Sequence, residues 1–411
     1  MKSVILGLAL LCSFAAAIEK ARFDNYRVYS LNVETIEQLM ELKKLDGNSD
    51  GFEFWKLADV GREADLMVPP HKFADFEELA TALKISYYLK IRNVQDLIDN
   101  ENPRTRSVEF DWTSYYTLDE INEWLDVQLA TYPEILTSFV VGESYQNRTI
   151  RGVKLAHNEA NPVIFIEANI HAREWITSAT ATWFLNQLLT STDPAIQNLA
   201  QNINWYIVPV FNVDGFAYSH EVNRLWRKTR YPHAHICYGT DANRNFGFQW
   251  NTIGASSNPC SDTFAGPRAW SEPETEQLAD YLRGLTSEIK IYLSFHSYGQ
   301  YLLFPYGHTG EHVDNYDDLY EIGNKTVEAI AVRESTAYRY GPSSTVLYET
   351  SGTSVDFAYD EFGIKLAYTF EFRDRGNYGF VLPANQIIPN GLEILDGLIA
   401  MVAESQLRGL L

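Results

Sequence analysis

The sequence predicts an α/β protein, a mixed twisted sheet sandwiched by helices, with a small α+β domain in front of it. Three observations carry this. From residue 117 to the end, apolar strand-like runs alternate with runs of helical period, the signature of a sheet layered between helices. Residues 26–91 hold a shorter alternation with its own breaks. Between the two lies a polar stretch, residues 100–107, that contains Pro103 and two arginines.

Residues 1–17 read as a signal peptide. Lys2 supplies a positive start, Val4 to Leu11 is apolar, and Ala15-Ala16-Ala17 offers small residues for cleavage. A membrane anchor is the alternative, but this run is too short to cross a bilayer. No other segment reads as a spanning helix, so the protein is expected to be secreted, extracellular and without a membrane anchor.

The domain of residues 18–106 then opens. Residues 26–34 alternate as a strand. Thr35 to Lys44 has helical spacing in Ile36, Leu39, Met40 and Leu42. Residues 52–57 return to strand, Pro69-Pro70 breaks the chain, Phe73 to Leu83 forms a second helix, and Tyr87 to Ile91 a further strand. This domain gathers no cluster of catalytic residue types. Its linker, Asn100 to Ser107, is of the kind proteases cut, and a trypsin-like cut after Arg104 or Arg106 would free residues 107–411. A plainer reading is an ordinary linker with two solvated cations.

The second domain begins with a capping box, Thr117-Leu118-Asp119-Glu120. Ile121, Trp124, Leu125, Gln128 and Leu129 follow at helical spacing until Pro133. Strands are expected at 135–141, 149–155, 163–170, 203–211, 289–296, 336–340 and 364–372. Helices are expected at 176–190, 272–285, 315–334 and 391–405. Ser271-Glu272-Pro273-Glu274 marks one helix start.

Composition narrows the function. A hydrophobic content of 45% is that of a globular chain. A net charge of −21 argues against nucleic-acid binding and against electrostatic attachment to an anionic membrane. Of three cysteines, Cys12 leaves with the signal. The even pair that remains, Cys237 and Cys260, suits a disulfide in an oxidising compartment, two free thiols being the alternative. Asn147-Arg148-Thr149 and Asn324-Lys325-Thr326 are glycosylation acceptors if exposed.

The chemistry begins at His171-Ala172-Arg173-Glu174-Trp175, directly after the apolar run 163–170. A His and a Glu three residues apart can hold one metal ion from a single turn. A third ligand is available in His296, at the end of another apolar run, 289–295. Two His and one carboxylate, leaving a fourth position open for water, is the catalytic rather than the structural pattern for zinc. Both histidines lie at strand ends, where α/β folds gather ligands. Taken alone His-x-x-Glu is a weak signal, and Arg173 could equally be an ion-pair partner.

Four other segments add weight. Asn223-Arg224-Leu225-Trp226-Arg227-Lys228 places three cations together in an acidic chain, either a solvated patch or a guanidinium set to meet negative charge. Asp241-Ala242-Asn243-Arg244-Asn245 adds an arginine among amides, suited to a carboxylate or simply an Asx-rich turn. Tyr348 fronts a polar loop ending at Val355. Glu371 stands in the apolar strand end 369–372, where burial raises a carboxyl toward the range of a general base. A structural pair with Arg373 is the competing reading.

The combined pattern resembles the funnelin metallocarboxypeptidases, the pancreatic carboxypeptidase A/B group, in zymogen form. His171-x-x-Glu174, Arg227, Asn243-Arg244, His296, Tyr348 and Glu371 occur in the family order, and Cys237 and Cys260 stand where the group carries its disulfide. The resemblance covers nearly the whole chain after the signal. It implies a carboxypeptidase-like fold and one Zn²⁺ held by His171, Glu174 and His296, with Glu371 as general base toward a zinc-bound water and Arg227 beside the developing oxyanion. It implies Asn243, Arg244 and Tyr348 as the clamp on a free C-terminal carboxylate, with Arg173 assisting further along the substrate. It also implies a propeptide that covers the site until a trypsin-like protease cuts the linker, peptide or protein substrates, and a monomer.

The resemblance places Val355 at the floor of the side-chain pocket. A basic-preferring subtype carries an acid there and an acidic-preferring one an arginine. Val355 offers neither, and a substrate cation buried against it would stay unpaired. Aliphatic or aromatic C-terminal residues are therefore expected. A slip of one residue to Asp356 would reverse this. Leu303 and Gly307 are expected in the same pocket, with Ser343 and Thr353 as more polar members. The competing functions are a basic-residue-preferring enzyme of the same mechanism and an inactive homologue that binds peptides.

Overall fold

The computed structural model describes residues 19–47, 50–103, 109–234, 236–285 and 288–411. The signal segment 1–17 and the cleavage candidates Arg104 and Arg106 lie outside the described residues.

The N-terminal unit runs β1 (Arg27–Val33), α1 (Ile36–Lys43), β2 (Glu53–Lys56), β3 (Arg62–Val68), α2 (Phe73–Ala82), β4 (Ser86–Ile91) and α3 (Val94–Glu101). Its strands form an antiparallel sheet in the order β2-β3-β1-β4. Thr35 caps α1 in a full capping box with Gln38, which is why that helix starts where its apolar spacing does. Tyr29, Leu31, Leu66, Phe76 and Ala80 close a small core between sheet and helices.

Two of its elements were not expected. β3 opens Arg62-Glu63 and carries Asp65 inside it, which hides the strand alternation; Asp65 is fully buried and paired with Lys90. The helix α3 extends through Asn100-Glu101, so the linker expected at 100–107 begins only after Glu101, which is 3% exposed.

The second unit runs α4 (Leu118–Thr131), β5 (Leu136–Glu143), β6 (Thr149–Leu155), β7 (Val163–Ala168), α5 (Trp175–Thr190), α6 (Pro194–Asn202), β8 (Asn204–Val208), α7 (Val213–Glu221), α8 (Pro273–Arg283), β9 (Ile289–Ser297), β10 (Tyr301–Phe304), α9 (Tyr316–Glu334), β11 (Arg339–Pro342), α10 (Ser343–Val346), α11 (Ser354–Asp360), β12 (Leu366–Phe372) and α12 (Ile387–Leu407). One mixed sheet, ordered β11-β10-β12-β9-β7-β8-β6-β5, is flanked by these helices. The four central strands β12, β9, β7 and β8 are parallel. Their carboxyl ends therefore share one edge, which is where the site forms.

Period-2 alternation decides what each strand offers. On one face stand Phe165 and Glu167 of β7, in register with Tyr292 and Ser294 of β9, while His296 and Glu371 pair further along. On the other stand Ile164, Ile166, Leu293, Phe295 and Phe370, all buried in the main core.

The helix α12 corrects the expectation that no later segment could span a bilayer. Ala384–Leu407 is long and apolar enough by length and composition, but 56% of its most apolar 18-residue stretch is buried inside the protein. It packs on α9 and α5 and buries Asn390 and Glu393, the latter paired with Arg373. It also starts four residues earlier than the sequence pattern suggests. Pro389 falls in its first turn, where proline is tolerated, and Gly391 lets it approach Trp183, whose ring would lie 2.5 Å from any added Cβ.

Candidate active site and metal centre

At the end of β7, Asn169 takes a left-handed φ of +61°, a conformation that asparagine tolerates. This stops the strand at Ala168, two residues before the expected boundary, and turns the chain so that His171 and Glu174 face the neighbouring strand end. Glu174 is the residue from which α5 departs. His296 arrives from β9.

The three side chains meet. His171 Nδ1 lies 2.8 Å from Glu174 Oε1, and His296 Nδ1 lies 3.1 Å from His171 Nδ1 and 3.3 Å from Glu174 Oε2. Their potential ligand atoms all fall within 4.8 Å of one another, and all three residues are buried. Ligands about 2.0–2.1 Å from a tetrahedral zinc are separated by roughly 3.4 Å, close to what is found.

The outward nitrogens are also engaged. His171 Nε2 lies 3.1 Å from Asp241 Oδ1, and His296 Nε2 lies 2.9 Å from Ser294 Oγ. Metal-binding histidines characteristically have the second ring nitrogen held in this way. Burial pushes the His171 imidazole down, toward the neutral ligand form, whereas at His296 burial is outweighed by Glu174, which pushes that ring up to about 8. Burial works against the Glu174 carboxylate, but the two histidines outweigh it and hold the group below the usual range. The donor set therefore fits zinc.

Asp241, not singled out in the sequence, organises the neighbourhood. Its Oδ1 also accepts from the Asn243 backbone N–H at 3.0 Å, capping the short turn Ala242–Arg244. Its Oδ2 accepts from Arg227 Nη2 at 2.8 Å. Burial alone would raise its carboxyl, but Arg227, Arg244 and His171 hold it well below the ordinary range. One carboxylate thus orients a ligand, a cation and the clamp turn. Its position in an Asx-rich string concealed it.

One cavity of about 300 Å³ gathers the remaining candidates: Arg173, Arg227, Asn243, Arg244, Tyr348, Val355 and Glu371 line it together with the three ligand residues. Glu371 projects beside His296, its register partner. The competing pair with Arg373 does not form, because Arg373 binds Glu393 and Glu334 instead. Burial pushes Glu371 up to about 8, against the pull of His296.

Val355, 3% exposed, is the second residue of α11 and lines the cavity with Leu303, Gly307, Ser343, Thr350, Thr353 and Thr369. Asp356 is turned aside. Its carboxylate accepts the Gly307 backbone N–H at 2.9 Å and lies 3.2 Å from His308 Nδ1. The sequence read 348–355 as one loop and missed α11, whose start is capped by Thr353.

The cation string 223–228 is not a solvated patch. Arg224 and Lys228 are buried, the former on Glu101 and the latter donating to the Pro259 carbonyl at 2.7 Å. Cys237 and Cys260 are joined, with Cα atoms 5.0 Å apart, within disulfide reach.

The N-terminal unit roofs the cavity with Phe54, Trp55, Lys56, Leu57, Glu63 and Lys90. Arg173 is ion-paired to Glu53 of that unit and to Asp262, at 3.1 Å, and its guanidinium lies 4.0 Å over the Phe380 ring. Trp55 packs 5.4 Å from Phe380, and Tyr298 donates to Asp65 at 2.9 Å. Apolar residues of both units merge into one cluster, with Phe23, Trp55, Met67 and Ile91 on one side and Leu225, Phe380 and Val381 on the other.

The family profile for zinc carboxypeptidases matches residues 121–397, and the carboxypeptidase activation peptide profile matches residues 29–101. The chain belongs to the zinc carboxypeptidase family. It is 46% identical over 409 residues to Zinc carboxypeptidase A 1 of Anopheles gambiae, covering 98% of this chain and 94% of that protein. It is 44% identical over 290 residues to Carboxypeptidase B of Astacus astacus, covering 70% of this chain and 95% of that one. Among solved structures, thrombin activatable fibrinolysis inhibitor aligns with a TM-score of 0.85 at 31% identity, covering 93% of this chain and 98% of that one. Carboxypeptidase A from Helicoverpa armigera aligns at 0.83 and 28%, with the same coverages. The fold class read from the sequence is borne out, and this zinc carboxypeptidase is a hydrolase carrying an activation peptide. The N-terminal unit that roofs its cavity is the segment matched by that activation-peptide profile.

Proposed function

We propose that the protein is a secreted zymogen that, once cut after Arg104 or Arg106, removes aliphatic or aromatic residues from the C termini of peptides and proteins. The observation that carries this is the convergence, in one cavity, of the His171–Glu174–His296 cluster, Glu371, the Asn243–Arg244 turn and Val355.

His171, Glu174 and His296 would hold a zinc ion, which would supply Lewis acidity and activate a water for attack near neutral pH. Glu371, buried in the same cavity, would take a proton from the attacking water and later give it to the leaving amine, the role of a base whose pKa is raised toward neutrality. Arg227, steadied by Asp241, faces the negative charge that develops on the scissile carbonyl oxygen, a contribution of roughly 3 kcal/mol for one such donor. Asn243, Arg244 and Tyr348 hold the substrate's terminal carboxylate. An internal peptide bond offers no such group, so the enzyme is an exopeptidase.

Val355 supports the specificity reading: the pocket has an apolar floor, and the acid next to it, Asp356, is tied to the Gly307 backbone. A C-terminal Lys or Arg would find no partner there. Glu53 on Arg173 and the roof of Phe54 and Trp55 support the reading of the N-terminal unit as the block on substrate entry. Comparing release of C-terminal Phe and Arg from blocked dipeptides by the trypsin-treated chain tests the specificity: Phe release supports it, and Arg release overturns it.

A further inference from the structure

The proposed mechanism gives no role to Glu167, a buried acid behind the metal-ligand histidine His296. Glu167 is fully buried in β7, on the same face of the sheet as His296 and in register with Ser294 of β9. Ser294 Oγ donates to Glu167 Oε1 and lies 2.9 Å from His296 Nε2. On the other side, Ser354 Oγ, at the first residue of α11, donates to the same Oε1 at 3.2 Å. The Ser354 backbone N–H donates to Asn243 Oδ1 at 2.9 Å. One carboxylate thus stands between a metal-ligand histidine, the helix that carries Val355, and the clamp asparagine.

A serine hydroxyl has one hydrogen. With that hydrogen given to Glu167, Ser294 can only present a lone pair to His296, and His296 must answer with Nε2–H. The tautomer is then fixed, and the Nδ1 lone pair faces His171 and Glu174. Asn243 Nδ2 also approaches His296 Nε2, at 3.4 Å, but this is a long contact beside the 2.9 Å one to Ser294 and does not reverse the assignment. Without an acceptor at Glu167 the Ser294 hydroxyl could turn and donate to Nε2, which would move the ring proton onto Nδ1, the atom the metal needs.

We infer that Glu167 is a positioning residue that, through Ser294, fixes the ring orientation and tautomer of His296 for metal binding and ties that ligand to the start of the pocket helix. This rests on the reading of His171, Glu174 and His296 as the zinc site. Outer partners of this kind typically change metal affinity by about 10–100-fold.

The test uses the full chain, stripped of metal, and titrates Zn²⁺ against a competing chelator for wild type, Glu167→Ala, Ser294→Ala, the double variant and Glu167→Gln, with the thermal midpoint of each metal-free chain recorded alongside. Glu167→Ala and Ser294→Ala should each weaken zinc binding by about 10–100-fold. The double variant should lose no more than the worse single one, and Glu167→Gln, whose amide oxygen still accepts from Ser294, should recover most of the affinity. Unchanged zinc affinity in Glu167→Ala with only a lowered midpoint would overturn the inference and make Glu167 purely structural, as would additive losses in the double variant. If wild type itself failed to bind Zn²⁺, the reading of the metal site would fall instead. The arms therefore separate the two failures.

Discussion

Arg224 and Glu101 form a two-armed ion pair across the boundary between the activation peptide and the catalytic unit, with Arg224 Nε 2.7 Å from Glu101 Oε2. Both side chains are buried, and the arginine also donates to the Phe380 and Arg173 carbonyls at 2.7 and 2.8 Å. Glu101 precedes Arg104 by only three residues, so a cut after Arg104 or Arg106 leaves Glu101 on the activation peptide and its pair with Arg224 of the catalytic unit intact. Cleavage and activation should therefore be separate events, with the severed unit still docked through this pair and its apolar cluster.

Removing one partner of a buried pair leaves the other charge uncompensated, at a cost on the order of 3 kcal/mol. Glu101→Gln should shorten the delay between linker cleavage, followed by gel, and the appearance of activity. An unchanged delay would show that the apolar contacts alone hold the severed unit.

Glu371→Gln keeps shape but cannot take a proton. It should lower kcat by about 10²–10⁴-fold while leaving the affinity for Zn²⁺ nearly unchanged. A comparable loss of zinc would mean that the residue serves the metal site rather than proton transfer.

Val355→Asp should place a carboxylate at the floor of the pocket and raise release of C-terminal Arg relative to Phe. The ratio of the two kcat/KM values reads it directly. If the ratio does not move, the substrate side chain lies elsewhere.

Stability should carry a pH signature from Glu274, which is buried at the start of α8 and accepts the Tyr145 backbone N–H at 3.1 Å. Burial pushes its carboxyl up to about 8 from an ordinary 4.5. A folded-state pKa above the unfolded one means that the native chain holds a proton the unfolded chain releases. The contribution is full below about pH 4.5 and is lost as pH rises toward 8, by at most about 1.4 kcal/mol per pH unit. Glu274→Gln should flatten the decline of thermal midpoint between pH 5 and 8. A parallel decline in both chains would remove Glu274 as its source.

Residues that announce themselves by period or by strand-end position were legible in the sequence. His171 and His296 follow largely apolar runs, Thr117 and Glu120 form the capping box their spacing predicts, and α8 begins on Pro273. What stayed hidden is polar residues used internally. Asp65, Asp241 and Glu167 are each buried and paired, but in sequence a buried acid alternates just as a surface one does. The strand β10 spans only four residues, too few to show a period. The helix α11 was masked by the hydroxyl-rich Thr350–Thr353 that precedes and caps it.

On the proposed function, one zinc site, latent under the activation peptide, releases apolar C-terminal residues. The most direct measurement is hydrolysis of blocked dipeptides ending in Phe or Arg, before and after trypsin, with and without 1,10-phenanthroline. Phe release that appears only after trypsin and disappears with the chelator is the predicted result. No release of either residue from the cleaved, zinc-loaded chain would contradict it.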